Sequence, residues 1–210
     1  MNDGLKRVME QSQVQLRTEP SPTGQSTTTR RRLVLWILAG VVVLVAAMII
    51  PMTFNWFVNP PTQEMATVQP ADAVVLFAGA TERLDTAVEL MERGAAPNLV
   101  VPNGSTIDDA EDLCEGTASY QVFCPASDEI TTKGEAEVIG RLAEEQGWSR
   151  LIAVTSVYHV HRATFLLGRC FDGPVDAVTP SQDLDPEEFV GKIPHEWAGF
   201  LAALVLPPVC

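Results

Sequence analysis

Positive charge is scarce in this chain. Its 210 residues hold 14 Lys and Arg against 27 Asp and Glu, a formal net charge of −13 at pH 7. Nucleic-acid binding needs a basic footprint to displace counterions from phosphates, so no nucleic-acid partner is expected. Histidine is rarer, with three residues. The four cysteines, Cys114, Cys124, Cys170 and Cys210, fall at no Cys-x-x-Cys or Cys/His spacing. That weighs against zinc, and no metal site is expected. The chain also lacks a Gly-x-Gly-x-x-Gly fingerprint, so a nucleotide-type cofactor domain gains little support and the residues name no cofactor. No internal repeat is evident.

Apolar residues are plentiful where they are contiguous. Eighteen apolar or small residues, Leu33 to Ile50, follow directly on Arg30-Arg31-Arg32. At the α-helical rise they cover about 27 Å, close to the hydrocarbon thickness of a bilayer. Met52, Phe54, Trp56 and Phe57 extend the run into residue types that favour the interface. Residues 33–57 are therefore expected to meet lipid, with 30–57 as a transmembrane anchor. The arginine triplet should stay cytoplasmic, which puts the C-terminal part outside the cell membrane. A cleaved signal peptide is the competing reading. The 32-residue polar lead-in and the absence of an Ala-x-Ala site argue against it.

The boundaries follow. Residues 1–29, rich in Gln, Ser, Thr and Pro, read as a disordered cytoplasmic tail. Residues 58–70, with Pro60, Pro61 and Pro70, read as a semi-rigid spacer. Residues 71–210 are long enough for one domain. The first 32 residues carry net +3 and the remainder net −16. All four cysteines lie in the outer part, where disulfides are expected. Cys114 and Cys124 bracket a polar loop and are the first choice of pair; Cys170 with Cys210 would tether the C-terminus.

The outer domain alternates strand and helix signals. Apolar runs at Ala73–Ala78, Asn98–Val101, Leu151–Thr155 and Val175–Val178 predict strands. Helical spacing predicts helices over Thr81–Arg93, Lys133–Gln146, Tyr158–Arg169 and Glu187 to about Leu204. Strands without polar alternation, separated by helices, imply an α/β, Rossmann-like three-layer domain with a mainly parallel sheet, preceded here by one transmembrane helix. Such sheets bind ligands at the carboxyl ends of their strands.

The residues at those ends carry the chemistry. Gly79 and Arg83 follow the first strand, and a ligand anion would offset the unfavourable cation in a first helical turn; a surface arginine is the alternative. Asn103, Gly104 and Ser105 follow the second strand, either as an ordinary Asn-Gly turn or as donors to a ligand. Thr132-Lys133-Gly134-Glu135 matches a capping box, which explains Thr132 and Glu135 but not the basic Lys133. The segment Thr155-Ser156-Val157-Tyr158-His159-Val160-His161-Arg162 is the most specific. With Ser156 as the N-cap, His159 and Arg162 share a face and could hold an oxyanion. His159 would move a proton near neutral pH. His161 projects elsewhere. His195-Glu196-Trp197 could reach the same rim. Only eight bases occur after residue 32, and Arg83, Lys133 and Arg162 all fall just beyond strand ends, which would make a local positive site. The acidic run around Asp108–Asp112 lacks an EF-hand pattern and reads as a solvated face.

The order AVVLFAGATER, NLVVPNGS, TTKGEAE and LIAVTSVYHVHRA resembles the ElyC/SanA/YdcF family over about residues 70–205. The most specific part is VTSVYHVHRA, where the family usually shows Val-Thr-Ser-x-Tyr-His-x-x-Arg-Ala. The resemblance implies a Rossmann-like domain, often on an N-terminal anchor, and a role in bacterial envelope biogenesis. It supports Arg83, Thr132, Glu135, His159 and Arg162 as pocket residues. The first two loops depart from it: Phe-Ala-Gly-Ala stands where Gly-Gly is common, and Pro-Asn-Gly-Ser where Ser-Gly-Gly is common.

The expectation is an anchored extracytoplasmic protein that binds an anionic, phosphate-bearing precursor, small or lipid-linked. Hydrolysis or transfer is open, with His159 or Glu135 as proton carrier. The alternatives are a non-enzymatic envelope scaffold or sensor, and a nucleotide-type cofactor domain.

Overall fold

A computed structural model describes residues 26–77, 81–104, 110–116, 118–181, 186–205 and 210. The chain divides into two units, Met1–Pro51 and Met52–Cys210. Helix α1 spans Ser26–Val58, and from Thr29 it is long and apolar enough to cross a membrane. Leu33, Trp36, Val42, Leu44 and Met48 leave their side chains exposed. Such a surface suits hydrocarbon, and the helix satisfies its backbone internally, as a spanning segment must. The helix takes in residues 26–29 of the expected disordered tail; residues 1–25 lie outside the described residues.

In the second unit, the last turns of α1 pack on the domain. Phe57 is buried with its ring edge-on to Trp197 at 5.8 Å, and Trp56 stacks on His161 at 4.1 Å. The expected spacer, 58–70, is not a free linker. The Gln63 N–H donates to the Ala177 carbonyl, and Met65 and Val68 pack against the core. Apolar side chains every few residues make this stretch a strap rather than a stalk.

The domain is built on five parallel strands. They are β1 (Ala73–Leu76), β2 (Asn98–Val100), β3 (Gln121–Phe123), β4 (Leu151–Val154) and β5 (Val175–Val178), in the spatial order β3-β2-β1-β4-β5. Ala73 of β1 lies beside Asn98 of β2 and Leu151 of β4. Between the strands run α2 (Thr81–Glu92), the short α3 (Glu111–Cys114), α4 (Thr132–Gln146) and α5 (Val160–Leu167); α6 (Pro186–Val205) closes the chain.

Alternate strand residues feed two cores. Val74, Leu76, Leu99, Ile152 and Val154 pack with Leu84 and Leu90 of α2. Ala73, Val75, Phe77, Leu151 and Ala153 pack with Ile139 of α4 and Ala163 and Leu167 of α5. Each large buried aliphatic contributes about 1.5–3 kcal/mol relative to exposure. The expected α/β, Rossmann-like fold is thus present. Both disulfides form as expected, Cys114–Cys124 with Cα atoms 5.8 Å apart and Cys170–Cys210 with 5.2 Å. Chain order reverses at β1, whose neighbours β2 and β4 lie on opposite sides. In open α/β sheets a ligand crevice forms there, beyond the strand ends.

Candidate functional site at the sheet switch point

Three chain segments meet beyond β1 and β4. The first is the start of α4. Its N-cap is Thr131, whose hydroxyl accepts from the Gly134 N–H at 3.1 Å. A Cβ on residue 134 would collide with the Glu129 carbonyl, so glycine lets the preceding loop fold onto the helix mouth. The cap is Thr131, not the expected Thr132, and the residue three positions on is Gly134, which has no side chain to complete a capping box. With Thr131 as the cap, the Thr132 hydroxyl is released to other partners.

The second segment leaves β4. Thr155 continues the sheet through its N–H to the Val178 carbonyl, while its buried hydroxyl has no partner among the described residues. The chain then turns through a 3-10 segment, Val157–His159, with the His159 N–H donating to the Ser156 carbonyl at 2.9 Å. Ser156 stands at the N-cap as expected, but its side chain makes no capping bond. Its hydroxyl accepts from Arg83 Nε at 2.9 Å instead, and Arg83 Nη1 donates to the Phe77 carbonyl at 3.0 Å. Arg83 is buried, not a surface arginine.

The third segment is α6, which brings Glu196, 3% exposed. Its carboxylate accepts from Arg162 at both oxygens, Nε to Oε2 and Nη2 to Oε1, each at 2.8 Å. Such a two-pronged ion pair is strong and directional. His159 Nδ1 lies 3.1 Å from Glu196 Oε1. Arg162 Nη1 donates to Thr132 Oγ1 at 2.9 Å, and that oxygen sits 3.4 Å from His159 Nε2. The four side chains close a ring: Glu196, His159, Thr132, Arg162. Gly199 gives Arg162 its room, since a Cβ there would come within 2.8 Å of Arg162 Cδ.

His159 Nδ1 faces both Glu196 oxygens, at 3.1 Å and 3.2 Å, and Arg162 Nη2 at 3.0 Å. The carboxylate accepts only, so in the tautomer that bonds Glu196 the hydrogen is on Nδ1 and the lone pair on Nε2. A guanidinium donates only, so Thr132 Oγ1 accepts from Arg162 and its own hydrogen points to that lone pair. Burial pushes the His159 imidazole below its ordinary value; Glu196 opposes this, while Arg162 and Arg83 add to it. Burial would raise the Glu196 carboxyl, but hydrogen bonds from Arg162 and His159 outweigh it and bring it to about 2. At neutral pH the histidine is neutral and the carboxylate charged.

Arg83 meets Ser156, and Thr132, His159 and Arg162 meet one another. Glu196 of the His195-Glu196-Trp197 group reaches the rim, while His195 is exposed. Other candidates stand elsewhere. Lys133 pairs with Glu137 at 3.7 Å along the flank of α4. Glu135 is buried one turn on from Thr131, and the ring closes without it. Asn103 adopts a left-handed conformation, φ 56°, and its side chain exchanges hydrogen bonds with Ser127. Gly104 lies where a Cβ would meet the Cys114 and Cys124 sulfurs, so this pair shapes the disulfide loop. Gly79 and Ser105 lie outside the described residues, as do Asp108 and Asp109 of the acidic run. His161 donates through Nε2 to the Trp56 carbonyl at 3.0 Å, away from the ring. Among the described residues no cluster of His, Cys, Asp or Glu could hold a metal ion. No family model, curated protein or solved structure matches the chain.

Proposed function

We propose that this is a single-pass, membrane-anchored envelope protein of the ElyC/SanA/YdcF type. Its extracytoplasmic domain binds an anionic, phosphate-bearing precursor beyond β1 and β4 and moves a proton at the bound group. The observation that carries this is the convergence beyond β1 and β4 of two guanidinium groups, Arg83 and Arg162, with His159, Thr132 and Ser156. A phosphate oxygen there would gain charge-assisted hydrogen bonds. His159, neutral with a lone pair on Nε2, suits proton transfer near neutral pH. The arginine triplet ahead of α1 and the two disulfides support an outward-facing domain.

Titration calorimetry of inorganic pyrophosphate into the full chain in nanodiscs tests the reading. Binding is expected, weakened at least about tenfold by Arg83→Ala, in line with a lost charge-assisted hydrogen bond. Affinity unchanged in both Arg83→Ala and Arg162→Ala would overturn it.

A further inference from the structure

The ring contains more than an anion cradle. Thr132 Oγ1, His159 Nε2, His159 Nδ1 and Glu196 follow one another in the order hydroxyl, imidazole, carboxylate, with separations of 3.4 Å and 3.1 Å. That is the order in which a hydroxyl is activated by a base that a third group orients. We infer that Thr132 is the nucleophile of a phosphoryl-transfer reaction at this site and carries the phosphoryl group as a transient covalent ester. The inference rests on the anion-binding reading above and adds to it a bond-forming residue.

Three features single out Thr132 from the other hydroxyls. Its proton already faces the histidine, because Arg162 occupies its acceptor side. The same guanidinium stabilises negative charge as it develops on the oxygen. Thr132 is also the first residue of a 15-residue helix, where the dipole favours an anion. Ser156, the nearest alternative, has its oxygen held by the Arg83 guanidinium. Thr131 is committed to its cap. Glu196 holds the imidazole in the tautomer that leaves Nε2 free, so it is a positioning residue.

The step balances without a further reagent. Thr132 Oγ attacks phosphorus as its proton passes to His159 Nε2. The bond from phosphorus to the leaving oxygen breaks, and that oxygen takes the proton from His159. Water then attacks the phosphothreonine, again giving its proton to His159. The phosphorus–Oγ bond breaks, inorganic phosphate or the phosphorylated product departs, and Thr132 regains its hydrogen.

A fluorophosphonate reports the first half of this chemistry, since the phosphorus–fluorine bond breaks and the adduct stays. The full chain in nanodiscs is treated with the reagent, its mass measured intact, and the modified peptide sequenced. One adduct on Thr132 is expected, suppressed by excess pyrophosphate. Thr132→Ser should label within about tenfold of the native rate. Thr132→Val should lose the adduct altogether, and His159→Gln should slow labelling at least about a hundredfold, the usual span of base catalysis. His195→Ala should label normally. Near-ultraviolet circular dichroism establishes that each variant is folded, and Thr132→Ser keeps the test decisive if the valine variant is not. Absent labelling, or labelling elsewhere, with pyrophosphate still bound would overturn the nucleophile and leave the anion site standing. Loss of pyrophosphate binding in the native chain would overturn both.

Discussion

Replacing Glu196 by alanine should be among the most damaging single changes in the domain. The carboxylate is 3% exposed and accepts two bonds from Arg162 and one from His159. Truncation leaves a largely buried guanidinium with no counter-charge, a defect that costs about 3–5 kcal/mol. The acidity of Glu196 gives a compatible figure. Its shift from the ordinary 4.5 to about 2 corresponds to at most about 3 kcal/mol, less what solvent screens. The sign follows from linkage. A lowered carboxyl contributes fully above pH 4.5 and loses its contribution as the pH falls toward 2. His159 is also lowered, so the unfolded chain takes up that proton first and stability begins to decline as the pH drops through 6.5. Denaturant unfolding of the full chain in micelles, followed by tryptophan fluorescence at pH 7.5, should show the loss. At pH 3 the difference between the native chain and Glu196→Ala should shrink. The double change Arg162→Met with Glu196→Leu should recover most of the stability, because it removes both charges rather than one. A single-variant loss below about 1 kcal/mol, or a double variant worse than the single, would refute the reasoning.

Gly199→Ala should weaken pyrophosphate binding at least about tenfold while costing about 1–3 kcal/mol of stability, because the added methyl displaces Arg162; calorimetry and denaturation separate the two effects. Removal of the Cys170–Cys210 bridge should cost about 4 kcal/mol and of Cys114–Cys124 about 3 kcal/mol, since they span 40 and 10 positions; serine variants measured under oxidising conditions test the order. Phe57→Ala should cost about 3–5 kcal/mol and change the Trp197 emission, because the two rings meet edge to face in the domain.

Much of the fold was legible because its signals are local. Ala73–Leu76 and Leu151–Val154 are short apolar runs bounded by polar or turn residues, and burial on both sheet faces demands that composition. The strand Gln121–Phe123 was not foreseen. It is three residues long, sits at the sheet edge and is at most half-buried, so no apolar run marks it. The 58–70 strap was missed for a related reason. Prolines dominate its composition, whereas Gln63, Met65 and Val68, which attach it, are scattered.

The site was legible only in part, and the missing part is the one that assigns its chemistry. His159 and Arg162 stand three positions apart on one turn, so sequence spacing places them together. Glu196 lies 34 positions beyond Arg162 and 37 beyond His159, and only the packing of α6 decides that it reaches them rather than water. The one hint is a single acid beside the apolar run that begins at Trp197. That neighbour carries a further consequence. Trp197 packs on Phe57 and His161 stacks on Trp56, so the chain neighbours of the positioning carboxylate and of the arginine that holds it are both gripped by the last turn of α1. The side chains that orient His159 are therefore fixed from behind by the segment through which the domain leaves α1. A change at Trp56 or Phe57 should loosen the ring without touching any of its members.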